Sequence, residues 1–367
     1  MRALIQERNN TNERKVNAVM QKISQQSQDK VGAGTVCFGE LLLRITHQQD
    51  WPSTPHAQLF VGGAEYNVSC ALNMWQEPVH FITALPKNAI ADLVEKHIKV
   101  QGLSCSLYRQ SDSRLGFYIT CGGADVKSND VVYDRNDTAF SQLDSDVIDW
   151  KKTLSGKRWL HLSAISPALG INAYKNCLEA AKTAHELGLT ISIDLNYRQS
   201  LWKKDIEPCS RIIPILKYCH WVMGNIWSAE SLLNIQTVPE LLNGDKRQYL
   251  EHARYTADKI LSMSQSTQHV ALTFRFDSEQ RGIDYFAALI NRKQSASSNT
   301  FSVKSVINRV GSGDCFMAGL IYGQNKGYSL QENLNYAVSA AVGHFQESTD
   351  YTTQSTLDIK KMVNLIE

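Results

Sequence analysis

No run of about 18 apolar residues, the length a membrane-spanning helix needs, occurs in the chain. The opening stretch, with Arg2, Glu7, Arg8, Glu13, Arg14 and Lys15 among many Asn and Gln, lacks the apolar centre of a secretory signal. Cysteines are scattered (Cys37, Cys70, Cys105, Cys121, Cys177, Cys209, Cys219 and Cys315), and no pair forms C-x-x-C. Several sit inside apolar runs, which points to buried thiols in a reducing compartment and away from a disulfide framework. Charge of one sign is scarce too. Lys plus Arg number 38 against 36 Asp plus Glu, a formal net charge of +2. A chain that depended on phosphate-backbone attraction would carry a larger or more clustered basic excess. The expectation is a cytoplasmic enzyme with neither a membrane nor a nucleic acid as partner.

What is present suits a large folded unit. Of 367 residues, 43% are hydrophobic and 20% charged, enough to bury a substantial core. Residues 1–33 read as a polar, amide-rich extension outside the core, with only weak helical spacing at Val16, Val19 or Met20, and Ile23. From residue 34 to 367 the texture is that of one domain. Short apolar runs recur at 35–38, 157–162, 190–195, 220–223 and 269–274, each of a length that suits a buried strand. Helix-like stretches such as 173–187 and 252–263 separate them. This alternation predicts an α/β fold, a doubly wound, mainly parallel sheet with helices on both faces. Segments 42–60 and 106–140 instead alternate polar with apolar residues, as half-exposed strands of a small β-sheet lid over one edge would.

In open parallel sheets, ligands bind beyond the carboxyl ends of the strands. The polar residues there are Ser163, then Asn196-Tyr197-Arg198 with Trp202, then Gly224-Asn225, then Arg275. Two arginines at strand ends suit an anionic ligand, because a guanidinium fork matches carboxylate or phosphate. The most informative segment runs from Asn308 through Val310-Gly311-Ser312-Gly313-Asp314 into a nearly continuous apolar stretch. Glycines before a buried helix leave main-chain N–H groups bare, a geometry that attracts phosphate oxygens. Asp314 in the first turn serves either as a helix cap or as a general base beside a bound phosphate. Neither the G-x-x-x-x-G-K-[ST] loop, nor G-x-G-x-x-G, nor H-E-x-x-H is present. A second cluster, Gly62-Gly63-Ala64-Glu65-Tyr66-Asn67, precedes a helix with an apolar face at Val68, Ala71, Leu72 and Trp75. It reads equally as a turn with a capped helix or as a loop whose Glu65 and Asn67 bind hydroxyls.

Taken together, the Gly62–Asn67 and Gly311–Asp314 segments resemble the two signatures of the ribokinase-like (PfkB) carbohydrate kinases, in order and in separation. The likeness runs from about residue 35 to near the C-terminus. Within that family it is greatest to members acting on 2-keto-3-deoxygluconate, on Phe38-Gly39-Glu40, Gly62 to Val68, Val132-Tyr133-Asp134-Arg135, Asp194-Leu195-Asn196-Tyr197-Arg198 with Leu201-Trp202, and Val310 to Phe316. The resemblance implies transfer of the ATP γ-phosphoryl group to the primary hydroxyl of that acid sugar, giving the 6-phosphate. Asp314 would be the base, and the N–H groups of Gly311, Ser312 and Gly313 the anion hole. Gly62, Gly63 and Asn67 would hold sugar hydroxyls. Tyr118, Tyr133, Arg135 and Arg198 would line the acid-sugar pocket, and Asn225, Arg275 and His344 the nucleotide side. ATP and Mg2+ are the implied cofactors, with no protein ligand assigned to the metal, and a monovalent cation is a further one. Exposed lid strands leave edges open to pairing into a homodimer.

The sequence departs from the family pattern in three places. Asn308 stands where an Asp is usual upstream of the Gly-rich loop. The Asn-x-x-Glu segment appears as Asn225-Ile226-Trp227-Ser228, with an acid only at Glu230. His344 and Thr349 replace the usual Lys and Gly near the C-terminus. Two other readings stay open here: a kinase for a neutral sugar such as fructose or ribose, and a kinase-shaped sugar sensor without turnover.

Overall fold

The structure is a computed structural model and describes residues 34–47, 56–121, 131–239, 241, 244–278 and 282–364. The expected N-terminal extension, residues 1–33, lies outside the described residues. So do parts of the two expected lid segments.

Fourteen strands occur among the described residues: β1 (Thr35–Phe38), β2 (Leu42–His47), β3 (Ala57–Gly62), β4 (Val79–Pro86), β5 (Cys105–Gln110), β6 (Gly116–Cys121) and β7 (Val132–Asp134). These are followed by β8 (Trp159–Ser163), β9 (Thr190–Asp194), β10 (Trp221–Gly224), β11 (His269–Ser278), β12 (Gly282–Asn291), β13 (Ser295–Ser297) and β14 (Phe301–Val303). The large sheet has the order β13-β12-β11-β10-β9-β8-β1-β4-β5, with β14 also paired to β12. Every pairing from β11 to β5 is parallel. Alternate residues of the central strands enter different cores. Val36 and Phe38 join one cluster and Cys37 the other, and Val222 separates from Trp221 and Met223 in the same way. A strand buried on both faces has no polar side to show, so these segments read as short continuous apolar runs.

The small sheet has the order β3-β2-β6-β7, with β2 and β6 parallel and the outer pairs antiparallel. It is the expected lid, with one correction. Residues 106–110 belong to β5, the edge strand of the large sheet, and pair in parallel with β4. Leu107 and Tyr108 pack on the two opposite cores and all of β5 is half-buried, so it shows the same alternation as a lid strand. The far edge is the antiparallel part of this mainly parallel sheet, where β11, β12 and β13 form a meander.

The Ala64–Met74 helix buries Val68, Ala71 and Leu72, with Trp75 just beyond its end, as the spacing predicts. The Ser312–Asn325 helix is buried along nearly its whole length and packs against the Leu330–His344 helix, where a side chain in place of Gly319 would run into Ala337. No helix among the described residues is long and apolar enough to cross a membrane.

Candidate active site

A cleft of about 700 Å³ opens where the carboxyl ends of β9 and β10, the start of the Ser312–Asn325 helix and the inner face of the small sheet converge. Two glycines shape its walls. Gly63 has φ 150° and lies against the Glu40 carbonyl, and Gly311 has φ 83° and lies against the Asp350 carbonyl. A Cβ at either site would collide with that carbonyl, and both φ values disfavour other residues. Gly311 is the N-cap of the helix, no side chain caps it, and Cys315 N–H makes the first helical bond back to it. The N–H groups of Ser312 and Gly313 therefore face the cleft without helical acceptors.

Asp314 follows in the first turn. It makes no cap bond, which removes the cap reading; its Oδ2 accepts from Asn67 Nδ2 at 2.7 Å. The residue is only 7% exposed yet lines the cleft. Burial pushes its carboxyl well above the usual carboxylate range. The Asn67 N–H opposes the rise, Asp194 and Glu65 add to it, and the Arg198 guanidinium opposes it. A carboxylate with raised proton affinity is the better acceptor for a hydroxyl proton. Asn67 keeps its Oδ1 buried without a protein partner, an acceptor available to a ligand.

Arg198 follows β9 and lines the same cleft, donating from Nη1 to the Tyr197 carbonyl at 2.9 Å. It forms no ion pair among the described residues. Arg135 is differently placed. It lines the cleft, but its Nε donates to Glu40 Oε2 at 2.6 Å, and Thr138 donates to the other Glu40 oxygen at 2.5 Å. Tyr118 and Tyr133, with rings 5.6 Å apart on β6 and β7, complete the lid side. Asn225 and Arg275 line the opposite side. Asn225 is also the N-cap of the Ile226–Leu233 helix, where Ser228 closes a reciprocal capping box. The serine that replaces the family's usual acid thus serves the helix end.

Three sequence candidates sit elsewhere. Gly62 does not line the cleft, and a side chain there would press on the Asp350 carboxylate. Glu65 is sealed away from hydroxyl ligands; its Oε1 accepts from Ser163 N–H, Ser163 Oγ and Ser166 Oγ at 3.0, 2.7 and 3.0 Å. His344 is fully buried, with Nε2 on the Val310 carbonyl and Nδ1 on Glu347, both at 2.7 Å. It braces the glycine loop from behind and leaves no ring nitrogen for a nucleotide.

Sequence reasoning passed over Asp350. Its side chain is 2% exposed and binds Arg44 of β2, with Arg44 Nη2 at 2.6 Å and Nε at 2.8 Å from the same oxygen. Tyr118 OH donates to its other oxygen at 3.3 Å. This latch ties the lid to the segment whose carbonyl abuts Gly311.

A doubly wound sheet with a β lid, a glycine-opened helix start and a buried aspartate beside it is the architecture of a sugar kinase. Residues 33–356 match the family described as pfkB family carbohydrate kinase, and the chain belongs to that family. The structure is similar to 2-dehydro-3-deoxygluconokinase from Thermotoga maritima, with a TM-score of 0.81 and 30% identity over 90% of this chain and 99% of that one. A 2-dehydro-3-deoxygalactonokinase from Haloferax volcanii is 27% identical over 188 residues, 50% of this chain and 58% of that relative, so the match spans little more than half of that curated protein. A putative ribokinase II from E. coli, solved in complex with ATP and Mg2+, shares the fold at a TM-score of 0.71 and 14% identity, over 91% of this chain and 99% of that one.

The cofactors of the family test differently against these residues. Bare helix N–H groups and cleft-lining arginines fit a nucleotide's phosphates. No group of three or more His, Cys, Asp or Glu side chains among the described residues is placed to hold a metal. Magnesium therefore fits as an ion carried on phosphates with water completing its shell, its usual habit. A monovalent cation does not fit at Asn308. The Asn308 amide donates Nδ2–H to the Thr349 carbonyl at 2.9 Å and to the Ser348 carbonyl at 3.4 Å, and its Oδ1 accepts from Val310 N–H at 3.0 Å. A neutral donor already occupies those carbonyls.

Proposed function

We propose that the protein phosphorylates 2-keto-3-deoxygluconate on its primary hydroxyl, using ATP and giving the 6-phosphate. The observation that carries the acid-sugar assignment is Arg198, a cleft-lining guanidinium with one main-chain hydrogen bond and no carboxylate partner among the described residues, beside Asp314. A carboxylate ligand would complete its guanidinium fork, whereas a neutral sugar would offer it no charged partner.

In this reading Asn67 and Gly63 hold sugar hydroxyls. Asp314 accepts the proton of the attacking hydroxyl at Oδ1, while Asn67 fixes Oδ2. The N–H groups at Gly311, Ser312 and Gly313 face the migrating phosphoryl. ATP with magnesium supplies that group, and the chain supplies position and charge neutralisation. Lid strands β2 and β6 cover the cleft and keep water from competing as acceptor. No step uses a monovalent cation. Arg135, already tied to Glu40, stiffens the lid edge and offers only its remaining N–H groups to the sugar.

The test is ATP consumption with magnesium over a panel of acid and neutral sugars, with the phosphorylated position read by 31P and 13C NMR. Turnover confined to neutral sugars would overturn the acid-sugar assignment. Thermal stabilisation by a sugar without ATP consumption would overturn the kinase reading. The same proposal holds that the outer lid face, where Leu59 and Val132 are 65% and 60% exposed, pairs with a second copy. A monomer by light scattering at assay concentration would refute that pairing. Free thiols at Cys37, Cys70, Cys177, Cys219 and Cys315, all buried, support a reducing cytoplasmic setting.

A further inference from the structure

A ring of contacts passes through the cleft and closes behind it. Asn67 holds Asp314, Asp314 shares a helical turn with Gly311, and Gly311 lies against the Asp350 carbonyl. Tyr66 precedes Asn67 and Tyr351 follows Asp350. The hydroxyls of these two tyrosines meet on the side chain of Gln101, which does not line the cleft.

Gln101 is the C-cap of the Ala89–Val100 helix, and Gly102, at φ 65°, turns the chain away immediately after it. Its amide oxygen accepts from Tyr66 OH at 3.0 Å and from Cys70 Sγ at 3.4 Å. Its amide nitrogen donates to Tyr351 OH at 2.6 Å and to His97 Nε2 at 2.8 Å. The His97 ring accepts because burial lowers its pKa and keeps it neutral. The main-chain carbonyl of Gln101 accepts from Asn73 Nδ2 at 3.0 Å, which ties the same residue to the Ala64–Met74 helix a second time. Every polar group of the side chain is thus committed. Tyr66 is fully buried, so its hydroxyl has no water to fall back on if the amide is lost. A hydrogen bond is directional where an apolar contact is not. The amide therefore fixes the hydroxyl end of Tyr351, and the Tyr66 ring, edge-on at 5.9 Å, fixes its face.

We infer that Gln101 is a positioning residue for phosphoryl transfer: it clamps Tyr66 to Tyr351 and thereby holds Asn67 on Asp314 and the Asp350 carbonyl against Gly311. Gly311 has no room to spare at that carbonyl, so a shift of Tyr351 passes to the start of the Ser312–Asn325 helix and its bare N–H groups. Misplacing reacting groups by about 1 Å costs roughly 10² in rate even when the cause lies far from the chemistry. The clamp serves whichever sugar the kinase takes.

Steady-state kinetics of the full chain, well below its melting temperature and with any sugar the wild type phosphorylates, test this role. Gln101→Met keeps the length and removes the amide; kcat should fall by about 10-fold or more, with KM for sugar and for ATP·Mg2+ changed by no more than about 2-fold. Gln101→Glu should recover most of kcat, since its carboxylate accepts from Tyr66 and from a Tyr351 hydroxyl turned to donate. Tyr351→Phe should reproduce the loss, and the variant carrying both Gln101→Met and Tyr351→Phe should be no slower than the slower single variant. Wild-type kcat in Gln101→Met would overturn the inference. So would losses that add in the double variant, or a Gln101→Glu variant as slow as Gln101→Met, because general loosening of the fold gives both.

Discussion

Replacing Asp314 by asparagine separates two effects that the cleft sets against each other. The carboxyl is 7% exposed, its Oδ2 takes an N–H from Asn67 at 2.7 Å, and burial holds its pKa well above the ordinary range. Asparagine keeps the volume and one acceptor oxygen but cannot take a proton. A general base contributes about 10²–10⁴ in rate, or roughly 3–5 kcal/mol of barrier. The variant's kcat should therefore fall by at least ~10², with little change in KM for the sugar. Stability should move the other way. A carboxyl whose folded pKa exceeds its unfolded value costs the fold the burial of a charge at any pH above that folded pKa. The cost shrinks as pH falls below the raised pKa, where the folded form binds the proton, and is gone once pH is below the unfolded pKa. Removing the carboxylate relieves this cost, so the variant should melt above wild type. Each kcal/mol of relieved cost corresponds to roughly 2 °C in Tm for a domain of this size. The gain should be present in mildly alkaline buffer and shrink in acid. Steady-state kinetics and calorimetric melting across pH measure both. Near-wild-type kcat would refute the assignment of the base, and a lowered alkaline Tm, or a gain indifferent to pH, would refute the account of its burial.

Arg198→Ala should raise KM for an acid sugar by about 10–100-fold, as expected for one lost charge-assisted contact, with kcat little changed; an unaltered KM would show that the carboxylate lies elsewhere. Arg44→Met leaves the Asp350 carboxylate buried without its cation and should cost about 3–5 kcal/mol in urea unfolding, so a near-neutral result would mean that the latch is open in solution. Because the Asn308 amide already satisfies the Thr349 carbonyl, turnover and melting temperature should be the same in potassium and in tetramethylammonium buffers. A wild-type enzyme that needs potassium would contradict this, and Asn308→Asp should create a potassium response in both readouts.

The parallel centre of the sheet was legible because β1, β8, β9 and β10 are buried on both faces and therefore appear as short apolar runs. The glycine loops were legible because close carbonyls leave room for no other residue at 63 and 311. Period-two alternation could not separate β5 from the lid, since a strand at the edge of a large sheet and one in a small sheet are both half-exposed. The ionic connections were hidden for a different reason. Arg135 and Glu40 are 95 positions apart and Arg44 and Asp350 are 306 apart, and no local pattern announces which charges meet. His344 shows the same limit: a motif position fixed its place in the chain, while the Val310 carbonyl and Glu347 fixed what its ring does.

The distance along the chain between Arg44 and Asp350 has a consequence for biosynthesis. At about 5–20 residues per second, a ribosome needs roughly 15–60 s to travel the 306 residues from one to the other. Throughout that interval the nascent lid arginine lacks its Asp350 partner, and Gly311, once made, waits for the Asp350 carbonyl. Translation nearly to the last helix thus sets the moment at which roof and phosphate cradle first join.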